Sequence, residues 1–234
     1  RDLIRGVMYL KKARLYWLLE EVASRVGRWL RPDADEGFGL RLVRDEIAPH
    51  DPAYDAAVQN FGANLEDIAD RAAAAGVPLL AGTLVSNLRH FYPLASDCGS
   101  SDEEWAAGDL AGLTAAETLS RDHPECAAAH FELGQIHERA GRWREARQAF
   151  VLARDLDRLP FRAPSAINRQ LRNLGHRRGV VVSHLDSAFT AAAPHGIPGN
   201  DLFTEYLHPT VEGNFLIAQT MVRDLVAGGI AAAW

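Results

Sequence analysis

The chain reads as an α/β protein, an α/β sandwich built on a parallel sheet with a small helical insert before its final strand. A recurring order of elements and one change of spacing predict this. A long apolar-periodic stretch ends on Gly76 and passes into the short apolar run Val77-Pro78-Leu79-Leu80-Ala81-Gly82-Thr83-Leu84-Val85. The same order returns where Leu174-Gly175 leads into Gly179-Val180-Val181-Val182-Ser183-His184-Leu185. A helix, a glycine stop and a buried strand form the second half of a β-α-β unit, so its recurrence predicts parallel pairing. Between the two strands the spacing becomes that of a helix-turn-helix repeat.

Taken in order, residues 1–31 place Leu3, Val7, Leu10, Leu15, Leu18, Leu19, Val22, Val26 and Leu30 at mostly three- and four-residue steps with Arg and Lys between them, predicting one basic amphipathic helix packed on a core. After a loop near Pro32, a second helix is predicted from about Ala53 to Ala75, with Val58, Phe61, Leu65, Ile68 and Ala72 on one face and Gly76 as its stop. From Ala127 to Arg158 the positions Leu133-Gly134, His137, Gly141, Trp143, Ala146, Phe150 and Ala153 fit the tetratricopeptide pattern. Gly134 and Ala146 let two helices approach, Gly141 makes the turn, and Trp143 and Phe150 fill the groove. A degenerate half-repeat is expected over about 103–124, ending at Pro124, with Trp105 a second anchor of the insert. Such units cannot bury their faces alone, so the insert must stack on flanking helices, including Ala166 to Leu174. The predicted divisions are therefore 1–100 and 177–234 for the α/β part and 101–176 for the insert.

Composition excludes several classes. Of 234 residues 47% are hydrophobic and 24% charged, ordinary globular values. With 25 basic against 31 acidic side chains the net charge is −6, which argues against a nucleic-acid or other polyanion binder. The charge is uneven: +5 over 1–31, −13 over 32–126, +6 over 127–178 and −4 over 179–234. No apolar run approaches the roughly 18 residues of a spanning helix. Cys98 and Cys126 lack C-x-x-C spacing and are expected to make neither a disulfide framework nor a structural zinc site. The histidines, His130 and His137 among them, are scattered without a paired ligand motif, so no metal is expected.

The most informative stretch runs from Gly196 to Asn214 as a loop ending on a helix. Thr210 is a good N-cap, Glu212 suits the positive helix end, and Leu216, Ile217, Val222 and Leu225 form the following buried face. Pro209 fixes the backbone after His208. Glu205, three residues upstream, can fold back and accept from one ring nitrogen, leaving the other free to take a proton. That is the carboxylate–histidine half of a nucleophilic triad, and it lacks a serine. No G-x-S-x-G elbow is present, and neither Ser86 nor Ser183, near the strand ends, sits in a glycine-framed turn. His184 and Asp186 read as capping the later strand.

The block Glu205-Tyr206-Leu207-His208-Pro209-Thr210-Val211-Glu212-Gly213 resembles the last conserved block of the SGNH (GDSL-type) hydrolases, Asp-x-x-His-Pro-Thr followed shortly by Gly. Leu65 to Arg89 resembles the family's helix and fourth strand, Val180 to Phe189 its fifth strand, and the repeat insert a subgroup of GDSL-like proteins. The resemblance implies a three-layer α/β/α flavodoxin-like fold whose earlier strands lie outside this chain, serine ester hydrolysis, a small-molecule or carbohydrate ester as substrate, and no cofactor. It makes His208 the general base and Glu205 its orienting acid, where the family usually has Asp; Asp201 is the alternative acid. It places the nucleophile and oxyanion blocks before Arg1. Since the first Met is Met8, the chain reads as the C-terminal piece of such an enzyme, inactive alone. Asn87 and Arg89 either line the substrate cleft or anchor a loop. Two other functions stay open: a protein-interaction module in which the basic insert, with eleven basic residues from Arg139 to Arg178, captures an acidic peptide or polysaccharide, and acyl transfer to a sugar hydroxyl by the same triad.

Overall fold

The computed structural model describes residues 46–99 and 110–231, with side chains in the second stretch from Thr114 onward. The expected basic helix over 1–31, Trp105 and the start of the half-repeat lie outside the described residues. The segment from Glu46 onward belongs to one compact unit, so the insert is not a body of its own.

Helix α1, Pro52–Ala74, starts because the Asp51 carboxylate accepts from the Ala53 N–H at 2.7 Å while Pro52 needs no partner for its missing donor. It ends where Gly76 turns through φ 65°. The expected buried face is rotated slightly: Ile68 is 50% exposed and the neighbouring Ala69 is buried. Gly62 carries α1 across Gln170, whose side-chain oxygen would lie 2.7 Å from an added Cβ.

Strands β1, Leu79–Gly82, and β2, Val180–Ser183, pair in parallel with Leu79 opposite Val180 and Gly82 opposite Ser183. Both are shorter and less buried than the apolar runs predict. Past Thr83 the ladder gives way to a side chain: Asn168 accepts from the Leu84 N–H at 2.7 Å and donates to the Leu84 carbonyl at 2.8 Å, an amide standing in for a third strand partner. Alternate residues of β2 face opposite ways, as the two-residue strand period requires. Val181 meets Gly228 at the end of the last helix, and Val182 meets Gly175 in the 3-10 turn Leu174–His176.

The insert comprises α2, Leu110–Asp122, α3, Ala127–Arg139, and α4, Trp143–Asp155. Gly141 makes the α3–α4 turn at φ 70°, and Gly134 lies so close to the Phe150 ring that an added Cβ would sit 2.6 Å from it. Phe131, Ala146, Phe150 and Ala153 share one apolar cluster with Leu88, from the chain beyond β1, and Ile197, from the loop beyond β2. Insert and sheet therefore share a core. Trp143 is half-buried and stacks face to face on His195 at 3.6 Å. Then come α5, Ser165–Asn173, α6, Leu185–Ala192, and α7, Val211–Ala227. On α7 the expected inward Val222 is exposed, with Thr220 buried instead; Val222 joins Phe215 and Val226 on an open apolar stripe. Among the described residues no helix is long and apolar enough to cross a membrane.

The cysteines depart most from expectation. Cys98 and Cys126 are bonded to each other across 28 residues. Two thiols so far apart in sequence carry no motif, and only the folding of the post-β1 segment onto the insert brings them together. In a chain-entropy account, closing a loop of this length restricts the unfolded chain by about 3–4 kcal/mol. Reduction, or Cys98→Ser with Cys126→Ser, is expected to lower the unfolding free energy by that amount, and the denaturant midpoint with it, without changing the fold; equal midpoints in oxidised and reduced protein would contradict the bridge.

Candidate active site

The site is a small hairpin between the 3-10 turn Pro194–Gly196 and α7. Phe203 and Pro209 face each other as an antiparallel bridge, and the Thr210 N–H donates to the Leu202 carbonyl at 3.0 Å. At its tip the His208 backbone is held from both sides. Its carbonyl accepts from the Thr204 N–H at 2.9 Å and the Thr204 hydroxyl at 3.0 Å. Its N–H donates to Glu205 Oε1 at 2.8 Å. The Thr210 hydroxyl then caps α7 by accepting from the Gly213 N–H at 3.1 Å. Gly213 is required by space: an added Cβ would lie 2.4 Å from the Leu202 carbonyl oxygen, inside the hairpin.

The same Glu205 oxygen pairs with His208 Nδ1, while Glu205 Oε2 accepts from the Tyr206 N–H at 2.6 Å. Burial works to raise the Glu205 carboxyl, but the His208 and Tyr206 N–H groups and the imidazole outweigh it and hold the group below the usual carboxylate range. With Nδ1–H turned to a carboxylate, Nε2 is the basic nitrogen. Among the described residues nothing hydrogen-bonds to it, and the His208 side chain is 71% exposed. Asp201, the alternative acid, is instead used in its own turn, accepting from the Gly199 N–H at 3.1 Å.

Two straps fasten the hairpin to the chain after β1. In the first, the Asn87 N–H donates to the Tyr206 carbonyl at 2.9 Å, and the Asn87 amide donates to Asn200 Oδ1 at 2.8 Å and the Glu205 carbonyl at 3.0 Å. Its own oxygen accepts from the His90 N–H, so Asn87 is buried and fully used as an anchor, with nothing left for a substrate. Arg89 reaches across to the insert, its Nε donating to Glu138 at 2.6 Å. Both residues anchor a loop. Tyr206 packs against Phe91 and Phe161, ring centres 5.2 and 5.7 Å away, which fixes the turn carrying His208. His184 makes no side-chain cap, whereas Asp186 accepts from the Thr83 hydroxyl at 2.7 Å and pairs with Arg172, tying the two strand ends together. Ser183 is buried and donates to Asp224 at 2.6 Å, which excludes it as a free nucleophile.

Sequence reasoning missed the second strap. His90 Nδ1 accepts from the Asn200 N–H at 3.0 Å, and Gly199 lies flat against the same ring. Only the neutral ring can accept there. Burial, and then Arg89, lower the His90 pKa below its ordinary value. A histidine held neutral in the fold contributes stability that is complete above about pH 6.5 and declines as pH falls from there toward the lowered folded value. The Asn200 amide resonance is therefore expected to titrate with His90 on the acid side of 6.5, and His90→Phe to abolish that step; an unchanged titration in the variant would remove His90 from the strap.

Among the described residues no group of three or more His, Cys, Asp or Glu side chains could hold a metal ion. No family model, curated protein or solved structure matches this chain.

Proposed function

We propose that this chain carries the base and acid of an SGNH-type serine ester hydrolase, within a three-layer α/β/α domain whose nucleophile block precedes Arg1 in the complete protein. The observation that carries the reading is the Glu205–His208 pair, with both backbone and ring of His208 fixed and Nε2 open. In the reaction the serine oxygen attacks the ester carbonyl and its proton passes to His208 Nε2. The tetrahedral intermediate collapses, the alcohol leaves with that proton, and water repeats the sequence on the acyl-serine. Glu205 keeps Nδ1 protonated and stabilises the imidazolium. Alone, the 234-residue chain is expected to turn over no acetyl ester beyond the background of a free imidazole. In the complete protein His208→Ala is expected to abolish esterase activity, and retained activity would overturn the assignment. Product analysis with a sugar acceptor separates hydrolysis from acyl transfer.

A second reading, capture of an acidic partner by the insert, is favoured by one observation: Arg147 on α4 has no ion pair among the described residues. Salt-sensitive binding of an acidic peptide, lost in Arg147→Gln, would support it.

A further inference from the structure

Between the insert and the C-terminal ends of the two strands lies a partly open cleft of about 210 Å³. Neither His208 nor Glu205 lines it. Its walls come from the chain leaving β1, from α4, α5 and α6, and from Pro198 in the loop that leads to the hairpin. In parallel sheets this is the end at which ligands bind.

The lining is strongly cationic. Arg147 and Arg154, two turns apart on α4, face it together with Arg172 of α5, against a single acid, Asp186. Part of this charge is already matched. Arg172 pairs with Asp186, and Arg154 donates to Asp155 and, at 2.7 Å, to the Ser165 hydroxyl. Among the described residues Arg147 is not matched: its polar contact there is the Thr190 hydroxyl at 3.4 Å, and that hydroxyl gives its own proton to the Asp186 carbonyl. An exposed guanidinium at the mouth of the cleft, without an ion pair among the described residues, attracts an anion, and its planar fork suits an oxyanion.

A second observation points the same way. Ser86 is only 7% exposed, lines the cavity, and its hydroxyl has no partner among the described residues. A hydroxyl on the cleft wall that no protein group uses is available to donate to a ligand atom. The remaining wall is apolar, from Val85, Leu88, Val151 and Phe189. The volume equals about seven waters at roughly 30 Å³ each and lies below the roughly 300 Å³ at which drug-sized sites begin.

We propose that this cavity binds a small molecule with one oxyanion group, a carboxylate or a phosphate, held by Arg147, Arg154 and Arg172 with Ser86 as a hydroxyl donor and a short apolar part against Val151 and Phe189. The site is separate from the His208 hairpin and does not depend on how that hairpin is read.

The test is titration of the 234-residue chain with inorganic phosphate and, separately, with butyrate, at constant ionic strength set by chloride, followed by calorimetry and by the thermal midpoint. Saturable binding with a rising midpoint is expected for at least one anion, and which one responds identifies the ligand as phosphate or carboxylate. Arg147→Gln is expected to weaken it roughly tenfold or more, as loss of a charge-assisted contact does. Ser86→Ala separates ligand from fold: without anion its midpoint is equal to or above that of the unaltered chain, because no bond is lost, while its affinity falls several-fold. His208→Ala leaves the binding unchanged. No saturable response to either anion, or equal affinity in the Arg147→Gln and Ser86→Ala variants, would overturn the proposal.

Discussion

Replacing Glu205 by Gln in the complete protein is expected to lower kcat by about 10³–10⁴, because an amide can present its NH₂ to Nδ1 and stabilise the wrong imidazole tautomer. The hairpin makes this substitution more severe than a change of charge alone. Glu205 accepts from the His208 ring and from two backbone N–H groups, at 2.8 and 2.6 Å, and a single amide oxygen cannot serve all three. Glu205→Asp keeps the charge but is one methylene shorter, so a smaller loss is expected. Asp201→Asn is the control. Its carboxylate accepts only within its own turn, so kcat should change by less than about tenfold, well short of the loss expected for a triad acid. If Asp201→Asn were the damaging change and Glu205→Gln the mild one, the acid would be misassigned. The pH behaviour carries a matching signature. A carboxyl held below its usual range contributes hairpin stability that is complete above the ordinary carboxylate pKa and is lost as pH falls through the lowered value. The Tyr206 amide resonance should therefore show a movement at a pH below that of an ordinary glutamate. In Glu205→Gln that movement should vanish.

What could be read from the residues follows the range of the interactions. The helix ending at Gly76, the strands at Leu79 and Val180, and the α3–α4 hairpin are written in local periodicity and stop signals, and they stand where expected. The Glu205–His208 pair was legible because both partners lie within one tight turn and Pro209 and Thr210 announce its exit. Strand length was not, since the ladder beyond β1 is completed by an amide 84 residues away. For the same reason the His90–Asn200 strap, 110 residues apart, and the Cys98–Cys126 bridge left no trace in spacing. The error at Ile68 and Val222 is of another kind. Helical periodicity narrows the buried face to within a residue, and the partner elements decide which neighbour turns inward. Charge counting found the insert basic, yet could not tell that three arginines, on two helices, line one cleft.

Arg162→Met is expected to destabilise the fold by about 3–5 kcal/mol, the cost of leaving one member of a buried ion pair without the other. Arg162 is 2% exposed and sits 3.5 Å from Asp157, which is as deeply buried. Burial pulls the guanidinium pKa down to about 10 against the opposing pull of Asp157, so the group stays charged at neutral pH. Its Nη1 donates to the Asn87 carbonyl at 3.1 Å and the Phe91 carbonyl at 2.9 Å, and its cation lies 5.1 Å from the Phe91 ring centre. Asp157 in turn accepts from the Leu94 and Ala95 N–H groups at 3.0 and 3.1 Å. The pair therefore clamps the whole segment after β1 beneath the hairpin that holds His208. In a domain of this size such a loss lowers the thermal midpoint by roughly 6–20 °C. Met matches the length of the Arg stem, so the effect reports the charge, its two carbonyl bonds and the space the guanidinium fills. In a double-mutant cycle with Asp157→Asn the two losses should fall short of additive, because the second substitution removes the charge that the first leaves stranded. Additive losses, or a cost below about 1 kcal/mol for Arg162→Met, the range of an exposed pair, would show that the clamp lies elsewhere.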